Sequence, residues 1–160
     1  MNTVYNEIIK AVESINLRYY KLVIVVIDVD YYKESILAEV SNSLKYPVIN
    51  VNLELSSKLI DLSVKQRALK VSEIMAEIAT TGQDGVILDR TEIMFDTSLQ
   101  LDPLGLLKSL SRDKVMITMW SGSISNSRLY YAEPSHPEYK SYPIDDIIVI
   151  DVKELIATEL

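Results

Sequence analysis

The most constraining feature of the sequence is the apolar and mostly β-branched run at 21–27, KLVIVVI, which leads directly into a helical pattern. Such a run is typical of a strand that is buried on both faces of a parallel sheet. Residues 28–32 form the following turn, and Lys33 falls at the start of the helix. Ligands of α/β proteins bind outside the carboxyl ends of the strands, close to helix N-termini. We therefore expect Lys33 to lie near any active site of this chain.

The rest of the chain alternates strands with helices. Apolar runs predict further strands at 48–53, 85–89, 115–120 and 147–150, with a short strand or hairpin arm at 128–132. Helical spacing predicts helices at 3–16, from Asp30 to before Pro47, from Ser56 and Ser57 onward as one helix or two, after Asp102 and Pro103, and at the carboxyl end. This alternation predicts a single α/β domain, 1–160: a three-layer sandwich around a mostly parallel five-stranded sheet.

Composition limits the classes of partner. The net charge is −7, so we do not expect direct DNA binding or attraction to an anionic membrane, although a small local basic patch is compatible with this charge. The chain has no cysteine, which excludes thiolate catalysis and is typical of a reducing compartment. No apolar run approaches the roughly 20 residues of a membrane span, and the amphipathic start carries acids. These features predict a cytoplasmic protein.

The turn before Lys33 has the position of a phosphate-binding loop but not its chemistry. In the pattern G-x-x-x-x-G-K-[ST], Lys33 would be the lysine, yet Ile27 and Tyr32 then occupy the glycine positions and Glu34 the hydroxyl position. The first glycine of the chain is Gly82. A phosphate cradle needs glycine because the backbone must curl closely around the phosphates. We predict that ordinary nucleoside triphosphate binding is lost or much weakened here.

Carboxylates surround the same helix start. Asp28, Asp30 and Glu34 can satisfy the N–H groups that a phosphate would otherwise bind. Lys33 then pairs with Asp28, Asp30 or Asp89.

Two polar residues lie at the carboxyl ends of later strands. Asp89 ends strand 85–89 in the position of a Walker B aspartate, which would hold Mg²⁺ with Glu92 or Arg90 close by. Ser121 follows strand 115–120, the place of a sensor residue in P-loop folds of the additional-strand type. The alternative is that Asp89 is an ordinary turn or cap residue.

A second motif overlaps the first. Asp28 and Asp30 after the strand also resemble the first motif of haloacid-dehalogenase-type phosphatases, with a nucleophile and a general acid beside Mg²⁺. Ser121 would then belong to their second motif. Against this, Asp145 and Asp146 precede a strand instead of following one, and Tyr32 offers no small-residue turn.

Other candidate residues have two interpretations each. The single histidine, His136, excludes a histidine cluster and is typical of a structured loop. Arg90, Arg112 and Arg128 could reach a neighbour's site as arginine fingers or lie in surface ion pairs. Five late aromatic residues could form a partner-binding face or pack internally: Trp120, Tyr130, Tyr131, Tyr139 and Tyr142.

Four segments, 46–55, 88–96, 102–112 and 131–139, carry a resemblance that covers nearly the whole chain. With them, the chain resembles the small P-loop-containing component, the F component, of BREX type 3 phage-defence systems. The resemblance implies a nucleotide-binding fold that works with a large ATPase, a DNA methyltransferase and an alkaline-phosphatase-like protein. Self-association into a homo-oligomer is compatible with it.

The P-loop residues of that family carry over only in part. Lys33 and Asp89 match catalytic positions, with Asp89 as the metal ligand, while Ser35 and Ser121 are weaker polar neighbours. The expectation is a degenerate P-loop subunit with an assembly or regulatory role, in which binding of ATP and Mg²⁺ is weak or lost. The alternative is an active, atypical ATPase that a partner completes.

Overall fold

The computed structural model describes residues 2–27, 30–81 and 84–158, except for the side chains at 2, 30–32 and 158. Within these residues, eight strands form two sheets: β1 (Leu22–Val26), β2 (Val48–Asn50), β3 (Gly85–Asp89), β4 (Val115–Trp120), β5 (Ser123–Ser125), β6 (Arg128–Tyr131), β7 (Lys140–Pro143) and β8 (Ile148–Asp151). The larger sheet is parallel throughout and has the order β2-β3-β4-β1-β8. The predicted α/β class and five-stranded parallel sheet are confirmed.

Helices cover both faces of this sheet. They are α1 (Asn2–Ser14), α2 (Asp30–Leu44), α3 (Val51–Leu59), α4 (Val64–Ala79), α5 (Pro103–Leu110) and α6 (Val152–Thr158). Apolar residues of α1, α2 and α6 pack on one face of the sheet, and those of α3, α4 and α5 pack on the other. Two apolar cores therefore flank the sheet, as a three-layer arrangement requires. Among the described residues, no helix combines the length and apolar character needed to cross a lipid bilayer.

The prediction of a strand at 48–53 is wrong beyond Asn50. The chain turns there into α3, and the side-chain oxygen of Asn50 accepts a hydrogen bond from the N–H of Leu53 at 3.0 Å. Val51, Leu55 and Leu59 form a buried stripe with helical spacing, which an extended chain could not bury together. The predicted start at Ser56 and Ser57 is also wrong, because both residues lie inside α3.

The second half of that region forms a separate helix, which was one of the two predicted alternatives. Ser63 begins α4 with a capping box, in which its side chain accepts from the N–H of Gln66 and the Gln66 side chain accepts from the N–H of Ser63. Arg67 ties the two helices together, since its guanidinium donates to the carbonyls of Leu59, Ile60 and Leu62.

A three-stranded antiparallel sheet, β5-β6-β7, follows β4. The sequence predicted only β6 as a strand or hairpin arm. Leu129 of β6 is fully buried, and Tyr131 packs against the core that contains α3, α4 and α5. This small sheet is therefore anchored on the domain.

Candidate functional site

A cleft of about 280 Å³ opens at the carboxyl ends of the central strands. Its lining comes from the ends of β1, β3 and β4 and from the start of α2: Ile27, Lys33, Arg90, Glu92, Met119, Trp120 and Ser121. This is the edge at which α/β folds bind ligands, so it is the candidate site.

A buried ion pair lies at the base of this cleft. The Nζ atom of Lys33 is 3.2 Å from Oδ1 of Asp89, and the two residues are only 8% and 6% exposed. Oδ1 accepts no well-directed hydrogen bond from the described residues, so the contact is mainly electrostatic. Among the described side chains, Asp89 is the proposed carboxylate that Lys33 contacts. Asp28 lies outside the described residues, as does the side chain of Asp30.

Local backbone contacts fix the position of Asp89. It is the last residue of β3 and pairs in register with Asn50 of β2. The next residue, Arg90, adopts a left-handed conformation with φ of 56°, and its carbonyl accepts from the N–H of Asn52 at 3.0 Å. The hydroxyl of Thr91 donates to the carbonyl of Met119 at 3.1 Å. The chain after Asp89 is thus bound to the first turn of α3 and to β4.

The other predicted site residues are divided between the cleft and the surface. Ser121 follows β4 directly and lines the cleft with an exposed side chain. Arg90 and Glu92, the expected neighbours of Asp89, line it too. Ser35 is exposed on α2 and does not line the cleft. The fold therefore brings Lys33, Asp89 and Ser121 together and leaves Ser35 aside.

This residue set fits a magnesium nucleotide poorly. The carboxylate of Asp89 already faces an ammonium group, which would have to move before a cation could approach. In the described ranges, no group of three or more histidine, aspartate or glutamate side chains is placed to hold a metal ion. The loop also lacks the glycines that would let its backbone wrap a phosphate. The phosphatase alternative depends on Asp28 and Asp30 and falls outside the described side chains.

The predicted aromatic group mainly packs internally. Trp120 is 1% exposed, and the rings of Phe95 and Tyr131 stack at 3.7 Å beside it. Tyr142 donates to Oδ1 of Asp102, the cap of α5, at 3.0 Å. Burial raises the pKa of Tyr131 to about 12, with smaller contributions from nearby carboxylates. Tyr130 of β6 and Tyr139, which precedes β7, lie 6.4 Å apart and are half-buried.

Gly122, directly after Ser121, was not among the predicted site residues. A Cβ atom there would lie 1.8 Å from the carbonyl oxygen of Tyr130, and that same oxygen accepts a hydrogen bond from Nε1 of Trp120 at 2.9 Å. Glycine is needed for this close approach of β6 to the end of β4. The turn sequence Ser-Gly-Ser was the only sequence signal for it.

The remaining candidates lie elsewhere. Arg112 is at the opposite end of the sheet, above the ring of Tyr19, and Nε of Arg128 donates to the Ser141 hydroxyl in the small sheet. His136 is exposed, and its Nδ1 accepts from the N–H of Glu138 at 3.0 Å, which fits the predicted structured loop.

No family model matches the chain, and neither the curated proteins nor the solved structures contain a significant match.

Proposed function

We propose that this chain is a degenerate P-loop protein of the additional-strand type, with an assembly or regulatory role in a BREX-type antiphage defence system. The observation that carries the first part is the buried contact between Lys33 and Asp89. In a working P-loop site these two positions hold the phosphates and Mg²⁺, but here the loop before Lys33 has no glycine to let its backbone approach a phosphate. The defence role is supported by the sequence resemblance.

The strand order supports the same proposal. β4 lies between β1 and β3, which places an additional strand between the loop strand and the strand that ends in Asp89. Ser121, directly after β4, then has the sensor position. The framework of a P-loop domain is compatible with this topology, while the glycines of the loop are missing.

A thermal-shift titration with ATP or ADP, with and without Mg²⁺, tests the nucleotide part. A ligand at a hundredfold excess over its dissociation constant stabilises the native state by about 2.7 kcal/mol, which corresponds to roughly 5–10 °C for a domain of this size. We expect no such shift. A magnesium-dependent shift that disappears in Lys33→Met would contradict the proposal.

Mixing with the other BREX components tests the assembly part. We expect a complex with the large ATPase, the methyltransferase or the phosphatase-like protein, seen by size-exclusion chromatography with light scattering. A second candidate function, an ATPase that a partner completes, is favoured by the open cleft rim at Arg90, Glu92 and Ser121. ATP turnover that appears only in the mixture and is lost with Asp89→Asn would establish this second function.

A further inference from the structure

A cluster of cations and tyrosines lies at the end of the sheet opposite the cleft. It is formed by two segments, 17–21 before β1 and 108–114 before β4, which we call the basic end. These segments contain one carboxylate, Asp113, and five cations: Arg18, Lys21, Lys108, Arg112 and Lys114. One of these cations, Lys108, already forms an ion pair with Asp146 of another segment, at 2.9 Å. The other four still outnumber Asp113, so a chain with a net charge of −7 carries a local excess of positive charge on this surface.

Specific contacts join the two segments. The N–H of Lys21 donates to the carbonyl of Ser111 at 2.8 Å, and its Nζ donates to the carbonyl of Arg112 at 2.9 Å. The guanidinium of Arg112 lies 4.7 Å from the ring centroid of Tyr19, and the ammonium of Lys108 lies 5.5 Å from that of Tyr20. The two rings meet edge to face at 4.8 Å. The basic end is therefore an ordered surface rather than a set of separate side chains.

Apolar surface accompanies these charges. Leu17 is 95% exposed and Tyr19 is 63% exposed. Tyrosine and arginine are the residues that most often contribute strongly to protein interfaces, and an exposed leucine beside them offers an apolar anchor. A nucleic acid backbone would use the cations but not Leu17, and the overall negative charge would repel a long polyanion.

We propose that the basic end binds an acidic segment of a partner protein that carries apolar side chains between its carboxylates. The exposed guanidinium groups of Arg18 and Arg112 would face the carboxylates, since Lys108 is already paired with Asp146. Leu17 and Tyr19 would contact the apolar residues. The strands between the two ends are five or six residues long, which separates the basic end from the cleft by roughly 17 Å. This proposal deepens the assembly role proposed above but does not depend on nucleotide binding at the cleft.

Fluorescence anisotropy with the whole protein tests the proposal. The probe is a fluorescein-labelled peptide of Glu-Glu-Leu repeats, compared with its Gln-Gln-Leu counterpart and with an oligothymidylate of equal formal charge. We expect the acidic peptide to bind more tightly than both, and added salt to weaken its binding. Failure of the acidic peptide to bind would overturn the proposal, and tighter binding of the oligothymidylate would assign the basic end to nucleic acid instead.

Charge reversal then locates the binding surface. Arg18→Glu with Arg112→Glu should weaken peptide binding at least tenfold, and Leu17→Ser should weaken it with no change of charge. The matched control, Lys65→Glu with Lys70→Glu, makes the same change in net charge at exposed positions on α4. Equal weakening by both double variants would show general electrostatic attraction and contradict the proposal. Because thermal shifts with nucleotide test the cleft separately, failure of one proposal is distinguishable from failure of the other.

Discussion

The ammonium of Lys33 meets the carboxylate of Asp89, although β1, the strand before Lys33, and β3, which ends in Asp89, are separated in the sheet by β4. Lys33 lies on the helix that follows β1, and Asp89 ends β3. The contact therefore joins two crossover units of the fold at the base of the cleft. Both charges are buried, and among the described side chains each compensates the other.

Removing one partner of this ion pair should destabilise the fold strongly. Lys33→Met leaves the carboxylate of Asp89 buried and uncompensated, with an expected loss of about 3–5 kcal/mol in the free energy of unfolding. The double variant Lys33→Met with Asp89→Leu removes both charges and should recover most of that loss. Urea denaturation of the wild type, both single variants and the double variant measures the coupling. Additive losses in the double variant would contradict a direct interaction.

Thr118→Val should stabilise the protein by about 1 kcal/mol. Thr118 is fully buried in β4 between Ile24 of β1 and Leu88 of β3, and its hydroxyl has no hydrogen-bond partner among the described residues. Valine has nearly the same shape and removes an unsatisfied polar group from the core. Chemical denaturation of the wild type and the variant measures the change in the free energy of unfolding. Thr118→Ser, which keeps the hydroxyl but removes a methyl group, is the control and should destabilise.

Gly122→Ala should displace β6 from the end of β4. The added Cβ would meet the carbonyl oxygen of Tyr130 at 1.8 Å, and backbone atoms must move to relieve that overlap. We expect a loss of about 1–3 kcal/mol in the free energy of unfolding, as for other overpacked sites. Trp120 is the single tryptophan and its Nε1 binds the same oxygen, so near-ultraviolet circular dichroism should change as well. Ser121→Ala, at the adjacent exposed position, should leave both measurements nearly unchanged.

The free energy of unfolding should fall at alkaline pH because of Tyr131. Its pKa is about 12 in the folded protein, against 10.0 for an ordinary tyrosine. Between these values the unfolded chain releases the phenol proton while the folded chain retains it, so rising pH favours unfolding. Tyr131→Phe keeps the ring stacked on Phe95 and removes this titration. In urea unfolding measured from pH 9 to 12, the free energy of unfolding should fall less steeply with pH for the variant than for the wild type. Identical slopes would contradict the prediction.

Local sequence rules predicted much of the fold because the elements concerned are strongly patterned. β3 and β4 have the predicted bounds, 85–89 and 115–120, since each is a mostly apolar run with polar residues on both sides. Asp102 and Pro103 begin α5 as predicted, because aspartate caps the first turn and proline suits the first helical position.

The misplaced boundary at 48–53 shows where those rules were insufficient. Val51, Asn52 and Leu53 continue the alternation of a strand, but Val51, Leu55 and Leu59 also form a helical stripe. The core of α3 and α4 buries that stripe, and Asn50 caps the helix. The stripe and the cap are both visible in the sequence, but only packing against α4 decides between the two patterns.

The sequence alone determined the fold class, the position of Lys33 at the end of a buried strand and the absence of phosphate-loop glycines, because these depend on neighbouring residues. Only the tertiary structure decided which carboxylate Lys33 contacts, since Asp89 is distant in sequence and approaches through the order of the sheet. The basic end, too, exists only in the tertiary structure. Its two segments are about 90 residues apart, and they meet because β1 and β4 are paired in parallel and therefore begin at the same edge of the sheet.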